Sequence, residues 1–154
     1  MGRILAVDYG ERRVGLALSD ETGIVAAESP ETIDRKNIKA PNTLQREIGR
    51  FAEQFSVAEI VVGLPVNMDG SLGESAQTVL QFTSSLQDST GLPVNTWDER
   101  LTSVVAQRVQ RELNLPLGKR RQKGRIDRTA ALVILQNYLN FRNSRGAAQT
   151  EKDR

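Results

Sequence analysis

The sequence predicts an α/β fold, a single layered domain around a mixed five-stranded sheet. Two observations carry that prediction. The N-terminal part reads as three strands joined by short turns, and short links make neighbouring strands antiparallel. From residue 42 onward, apolar stripes at helical spacing alternate with short β-branched runs, the signature of βαβ units. The order is β-β-β-α-β-α-β-α with one further C-terminal helix. Helical crossovers make the last two strands parallel to each other and to the first.

The elements follow in order. Residues 3–8 and 14–19 are the first two strands, with a turn at Tyr9–Arg13 between them. "GIVAAESPETI" continues as the third strand after a turn at Asp20–Gly23, and a polar stretch then runs to Pro41. "NTLQREIGRFAEQF" is a helix with Leu44, Ile48, Phe51, Ala52 and Phe55 in one stripe. "AEIVVGLP" is a buried strand closed by Gly63 and Pro65. After the loop "VNMDGSLG", Ser71 and Glu74 suggest a capping box. They open a helix with Ala76, Val79, Leu80, Thr83 and Leu86 on one side. "GLPVNTWDE" is a turn and a strand, and "TSVVAQRVQREL" a third helix with Val105, Val109 and Leu113 in line. A basic loop follows, with Gly118 and Gly124 as its flexible points. A last helix is expected from about Ile126 to Phe141. The domain is thus expected to span residues 1–141, and the polar segment 142–154 to be a disordered tail.

Composition removes several chemistries. The 154 residues contain neither Cys nor His. Disulfides, thiolate zinc sites and imidazole catalysis are therefore excluded. What remains is carboxylate, hydroxyl, Lys and Arg, so any metal would be held by oxygen, which favours Mg²⁺ or Mn²⁺. No run approaches the roughly 20 apolar residues of a membrane span. The first strand begins at once, with no room for a secretory leader. A cytoplasmic protein without membrane contact is expected.

The net charge is only +2, but its distribution is uneven. In "KRRQKGRIDR", residues 119–128, six cations face Asp127 alone. That segment carries +5, which leaves −3 for the remainder of the chain. A local basic patch suits a polyanion such as nucleic acid.

Three acids fall where sites form in such sheets, at the carboxyl ends of the parallel strands. Asp8 closes the first strand, Asp98 or Glu99 closes the fifth, and Asp127 opens the last helix. Each alone has an ordinary explanation: a turn former, an N-cap, a partner for the helix dipole. On the last helix, however, Asp127 shares a face with Ala131, Ile134 and Tyr138, and the small Ala130 and Ala131 allow close approach to the sheet. Three acids on one rim repel each other and call for a cation. Two Mg²⁺ ions held by acids activate water and stabilise a leaving oxygen in phosphodiester cleavage without any histidine. The basic segment directly before Asp127 is placed to hold phosphates. The loop "NMDGSLG", with Ser71, offers backbone N–H groups to another, and Arg12 and Arg13 flank the rim. Aromatic residues are few, so no stacking platform for single strands is expected.

Four stretches, "VDYGERRVGLALSD", "IVVGLPVNMDGSLGESA", "WDERLTSVVA" and "IDRTAALVILQNYL", resemble the motifs of the YqgF/RuvX family in order and spacing. The likeness runs from about residue 3 to 140. These are small bacterial proteins of RNase H-like fold, described as Holliday-junction resolvases and as pre-16S rRNA nucleases. The resemblance implies a metal-dependent nuclease with Asp8, Glu99 and Asp127 as Mg²⁺ (or Mn²⁺) ligands. The residues expected to contact nucleic acid are Arg12, Arg13, Ser71, Arg100, Lys119, Arg120, Arg121, Lys123, Arg125 and Arg128. Two departures stand out. Many RNase H-like enzymes carry an acid at the end of the fourth strand, whereas here that strand ends "VVGLP" and the nearest acid is Asp69. Glu99 would then substitute. Arg128 stands where small or acidic residues are common, so it either contacts a phosphate or weakens one metal site.

The leading expectation is an endonuclease of structured nucleic acid that processes the 5′ end of pre-16S rRNA, with possible association with the ribosome. The alternatives are a Holliday-junction resolvase and a non-catalytic RNA-binding module on the same fold. "DYGERRVG" also resembles the phosphate-binding hairpin of sugar kinases and actin-like ATPases, but those proteins need two such domains. A four-way junction would suit a homodimer. No interface is legible in one chain, so monomer and homodimer both stand.

Overall fold

The computed structural model describes residues 2–26, 31–40, 42–101 and 123–152; the side chains it describes exclude residue 31 and, in the last stretch, those outside 130–144. Five strands form one sheet: β1 (Arg3–Tyr9), β2 (Arg13–Leu18), β3 (Glu31–Asp34), β4 (Val57–Leu64) and β5 (Val94–Asp98). Their order across the sheet is β3-β2-β1-β4-β5. The β1–β2 and β2–β3 pairs are antiparallel, and β1–β4 and β4–β5 are parallel. The mixed sheet predicted from the link lengths is therefore the one observed. Three α-helices stand among the described residues: α1 (Thr43–Gln54), α2 (Glu74–Thr90) and α3 (Lys123–Lys152). The helix expected over "TSVVAQRVQREL" lies outside the described residues.

Side chains alternate across a strand, so β1 feeds two cores. Leu5 and Val7 join Val14, Leu16, Ile60 and Val62 under α1 and α2. Ile4 and Ala6 join Ala17, Val61 and Trp97 under α3, which contributes Ala131, Ile134, Leu135 and Leu139. The α1 stripe packs as its spacing predicts, with Leu44, Ile48 and Ala52 buried and Phe51 and Phe55 against them. In α2, Phe82 rather than Leu80 completes the buried stripe, because its ring stacks on Tyr9 at 4.2 Å.

Four boundaries differ from the sequence reading. Ile24 and Val25 are exposed rather than part of a strand. The Asp20 carboxylate accepts hydrogen bonds from both of their backbone N–H groups and so captures them in a turn. Regular pairing to β2 begins only at Glu31, after an isolated bridge between Ser19 and Ala26. The capping box is absent: Gly73 is the N-cap of α2 and makes no side-chain cap. α3 starts at Lys123, so Lys123, Gly124 and Arg125 belong to a helix rather than to a loop. Its backbone continues to Lys152, so residues 142–152 extend the helix where a disordered tail was expected.

Candidate metal centre

Asp8 is the next-to-last residue of β1, paired with Gly15 across the hairpin. It lies in phase with Ile4 and Ala6, on the sheet face that α3 covers. The turn behind it is tight. The Gly10 N–H donates to the Arg13 carbonyl at 3.1 Å, and a Cβ on Gly10 would stand 2.5 Å from that oxygen. Any larger residue would open the turn. Arg35, just past the end of β3, braces it: its guanidinium lies 5.0 Å over the Tyr9 ring and donates to the Gly10 carbonyl at 3.0 Å. The backbone N–H of Arg35 also donates to the Arg12 carbonyl, at 2.9 Å. Sequence reading missed Arg35, since nothing local marks a cation that acts on a turn 25 residues away.

Asp98 and Glu99 divide the work at the end of β5. Asp98 pairs with Leu64 as the last strand residue, and its carboxylate holds Arg100 at 2.8 Å. Hydrogen bonds from the Arg100 side chain and backbone N–H keep the Asp98 carboxyl below its usual range. Glu99 donates its N–H to the Leu64 carbonyl at 3.1 Å and turns its side chain toward β4. There its carboxyl lies over Gly63: a Cβ on Gly63 would be 2.6 Å from Glu99 Oε1. Glu99 as a residue is exposed, yet its carboxyl end is desolvated against this glycine. Desolvation first, then the negative charge of Asp8, then that of Asp98, push its pKa up. Asp8 and Glu99 are thus close enough for each to disfavour the other's charge.

The third predicted acid, Asp127, lies in the first two turns of α3, and its side chain is outside the described residues. The direction of the helix is defined further along. Tyr138 donates to Glu59 near the start of β4, while the Ile134 Cδ1 methyl reaches Gly63 near its end. α3 therefore runs antiparallel to β4, with its N-terminus toward the Asp8–Glu99 rim. Asp127 precedes Ile134 by seven residues, about 10 Å of helix rise. Among the described residues, no group of three acids is close enough to hold a metal ion. Asp8 and Glu99 form a pair of oxygen donors of the type that hard cations take.

The predicted nucleic-acid contacts divide. Arg12 is exposed on the hairpin turn and Arg13 is half-buried beside it. Ser71 is committed within its own loop, donating to Asp69 at 2.6 Å and accepting from the Asn67 amide at 3.0 Å. Arg100 clamps that loop to the end of β5, donating to the Asn67 carbonyl at 3.3 Å while paired with Asp98. Its role in the fold is thus structural, which a sequence cannot distinguish from a phosphate contact. Lys119, Arg120 and Arg121 lie outside the described residues, as do the side chains of Lys123, Arg125 and Arg128. No described helix is long and apolar enough to cross a membrane.

Comparison with known proteins identifies the relatives of this chain. Residues 2–141 match the model of the RuvX family, described as Holliday junction resolvase. A Halothermothrix orenii protein is 44% identical over 92% of this chain and 96% of its own length. A Moorella thermoacetica protein is 46% identical over 90% of this chain and 94% of its own. Both are named "Putative pre-16S rRNA nuclease". Among solved structures, RuvC from T. thermophilus, in complex with a Holliday junction substrate, superimposes with a TM-score of 0.62 at 13% identity. That match covers 92% of this chain and 96% of the other, and it shows a shared RNase H-like fold. With the family model matching residues 2–141, and relatives above 40% identity over 94% and 96% of their own length, this protein belongs to the RuvX family.

Proposed function

We propose that this protein is a divalent-metal-dependent endonuclease of structured nucleic acid, with pre-16S rRNA as its substrate. The observation that carries the reading is the Glu99 carboxyl lying over Gly63 at the carboxyl rim of the sheet, within reach of the Asp8 charge at the end of β1. Two carboxylates that disfavour each other's charge are stabilised together by a cation. In this reading Asp8, Glu99 and Asp127 hold Mg²⁺ or Mn²⁺, and the direction of α3 supports the inclusion of Asp127. The metal supplies activation of water and stabilisation of the leaving oxygen. The chain itself supplies position. The braced hairpin fixes Asp8 and the Leu64 carbonyl fixes the turn at Glu99; the cations of residues 119–128, which adjoin Asp127 in sequence, are assigned to phosphates. Arg12 and Arg13 extend that cationic border.

The choice of RNA rests on the names of the relatives, and it brings with it a cytoplasmic location and ribosome association. The description of the family model and the fold of RuvC favour a second reading, resolution of Holliday junctions, which would suit a homodimer. A third, RNA binding without cleavage, predicts affinity that survives loss of Asp8 but falls when Arg120, Arg121 and Lys123 are neutralised. The test is a side-by-side assay with Mg²⁺ or Mn²⁺ on an rRNA precursor and a synthetic four-way junction. Cleavage of the precursor that disappears in Asp8→Asn supports the proposal. Cleavage of the junction alone selects the second reading, and binding without cleavage the third.

A further inference from the structure

We infer that Gly63 is a positioning residue: the missing side chain at the end of β4 makes the space in which the Glu99 carboxylate sits. The inference rests on the metal-site reading above and deepens it. Gly63 lies within a strand, paired with Trp97 of β5. The left-handed glycines among the described residues are Gly23, Gly70 and Gly91, so Gly63 is not there to satisfy the backbone. Glycine in a strand weakens it and marks a close approach by something else. Here the approach is visible. A Cβ at position 63 would stand 2.6 Å from Glu99 Oε1, 3.2 Å from the Glu99 carboxyl carbon and 2.5 Å from Ile134 Cδ1.

These contacts differ in what they leave free. Ile134 belongs to the buried core under α3 and has neighbours on every side. Glu99 is an exposed residue at the end of its strand, and the atoms that would be met are the far end of a long side chain. Added bulk at residue 63 therefore displaces the carboxylate more readily than the core. A carboxylate reaching back from β5 over a bare β4 comes to the spot where a side chain from the end of β4 would start. The bare strand and the reaching glutamate thus form one device, in which neither works without the other.

The experiment compares wild type with Gly63→Ala, Ile134→Val and Gly63→Ala/Ile134→Val. Mn²⁺ affinity is read by electron paramagnetic resonance, thermal stability by melting, and the position of Glu99 in metal-free crystals. Gly63→Ala is expected to weaken Mn²⁺ binding by about tenfold or more, the scale of losses from misplaced ligand support. Ile134→Val removes the clashing methyl, so the double variant should regain melting temperature but not Mn²⁺ affinity. Wild-type affinity in Gly63→Ala, or full recovery in the double variant, would overturn the inference. If wild type itself binds no Mn²⁺, the metal-site reading fails. The crystals then decide the present claim: Glu99 displaced in Gly63→Ala upholds it, and Glu99 unmoved refutes it.

Discussion

Two glutamates on the same sheet face, at opposite ends, have opposite surroundings. Glu59, near the start of β4, accepts hydrogen bonds from the Tyr138 hydroxyl, from the Asn95 amide at 2.7 Å and from Arg142 at 2.8 Å. Burial and the Glu59 carboxylate push the Tyr138 hydroxyl up to about 12, so it remains a donor at any ordinary pH. Glu99, near the end of the same strand, lies instead within the field of Asp8 and Asp98. One carboxylate is held by three donors, and the other lies beside two further acids whose charges push its pKa up. That contrast separates a structural acid from a candidate ligand better than burial does. The Glu59 side chain is only 15% exposed, and Glu99 is the more open of the two.

The contrast can be broken deliberately. The largest effect should come from Asp8→Asn, which is expected to lower metal-dependent cleavage by more than about 100-fold, the upper end of losses from outer-shell changes. A gel assay under single-turnover conditions would show it. Next in size, Glu59→Ala leaves the Tyr138 hydroxyl and the Arg142 guanidinium without their acceptor. It should destabilise the fold by about 1–3 kcal/mol in urea denaturation, and it should leave the cleavage rate of the folded protein unchanged.

A smaller effect has the opposite sign. The pKa of Glu99 is raised in the folded state, so the folded protein holds its proton more tightly than the unfolded chain. Stability is therefore lost as pH rises from the ordinary glutamate value through the raised one. In metal-free protein at neutral pH, Glu99→Gln should raise the melting temperature by roughly 1–3 °C, a small shift because the residue is exposed. The gain should vanish in acid, and saturating Mn²⁺ should stabilise wild type but not the variant. A melting series across pH, with and without Mn²⁺, checks all three. The smallest effect belongs to Arg100→Ala, which frees the 67–71 loop from β5. An exposed pair of this kind is worth under about 1 kcal/mol. The expected sign is faster amide exchange at Gly70 and Ser71, with the melting temperature nearly unchanged.

Periodicity made the sheet and the helix faces legible. The stripe of α1 and, in α3, Ala131, Ile134 and Tyr138 pack toward a core as their spacing predicts. Strand order placed Asp8 and the acids at the end of β5 on one rim, with Asp98 and Glu99 both open, and the family resemblance selected Glu99, 91 residues from Asp8. What sequence could not supply was which partner each polar group would choose. Ser71 and Glu74 match a capping box, yet Asp69 claims the Ser71 hydroxyl first. Ile24 and Val25 match a strand, yet Asp20 takes their N–H groups. Arg100, expected to contact phosphate, also clamps a loop. In the first two cases a local side-chain hydrogen bond overrides a statistical preference. Gly63 is the reverse case: the absence of an acid at the end of β4 is visible in the sequence, but its meaning appears only once Glu99 is seen lying over it.

The most direct measurement is the rate of Mg²⁺-dependent cleavage of an rRNA precursor by wild type, Asp8→Asn and Glu59→Gln at equal concentration. Cleavage by wild type and Glu59→Gln, with none by Asp8→Asn, is the predicted result. Equal cleavage by Asp8→Asn and wild type would contradict the assignment of the rim as the active site.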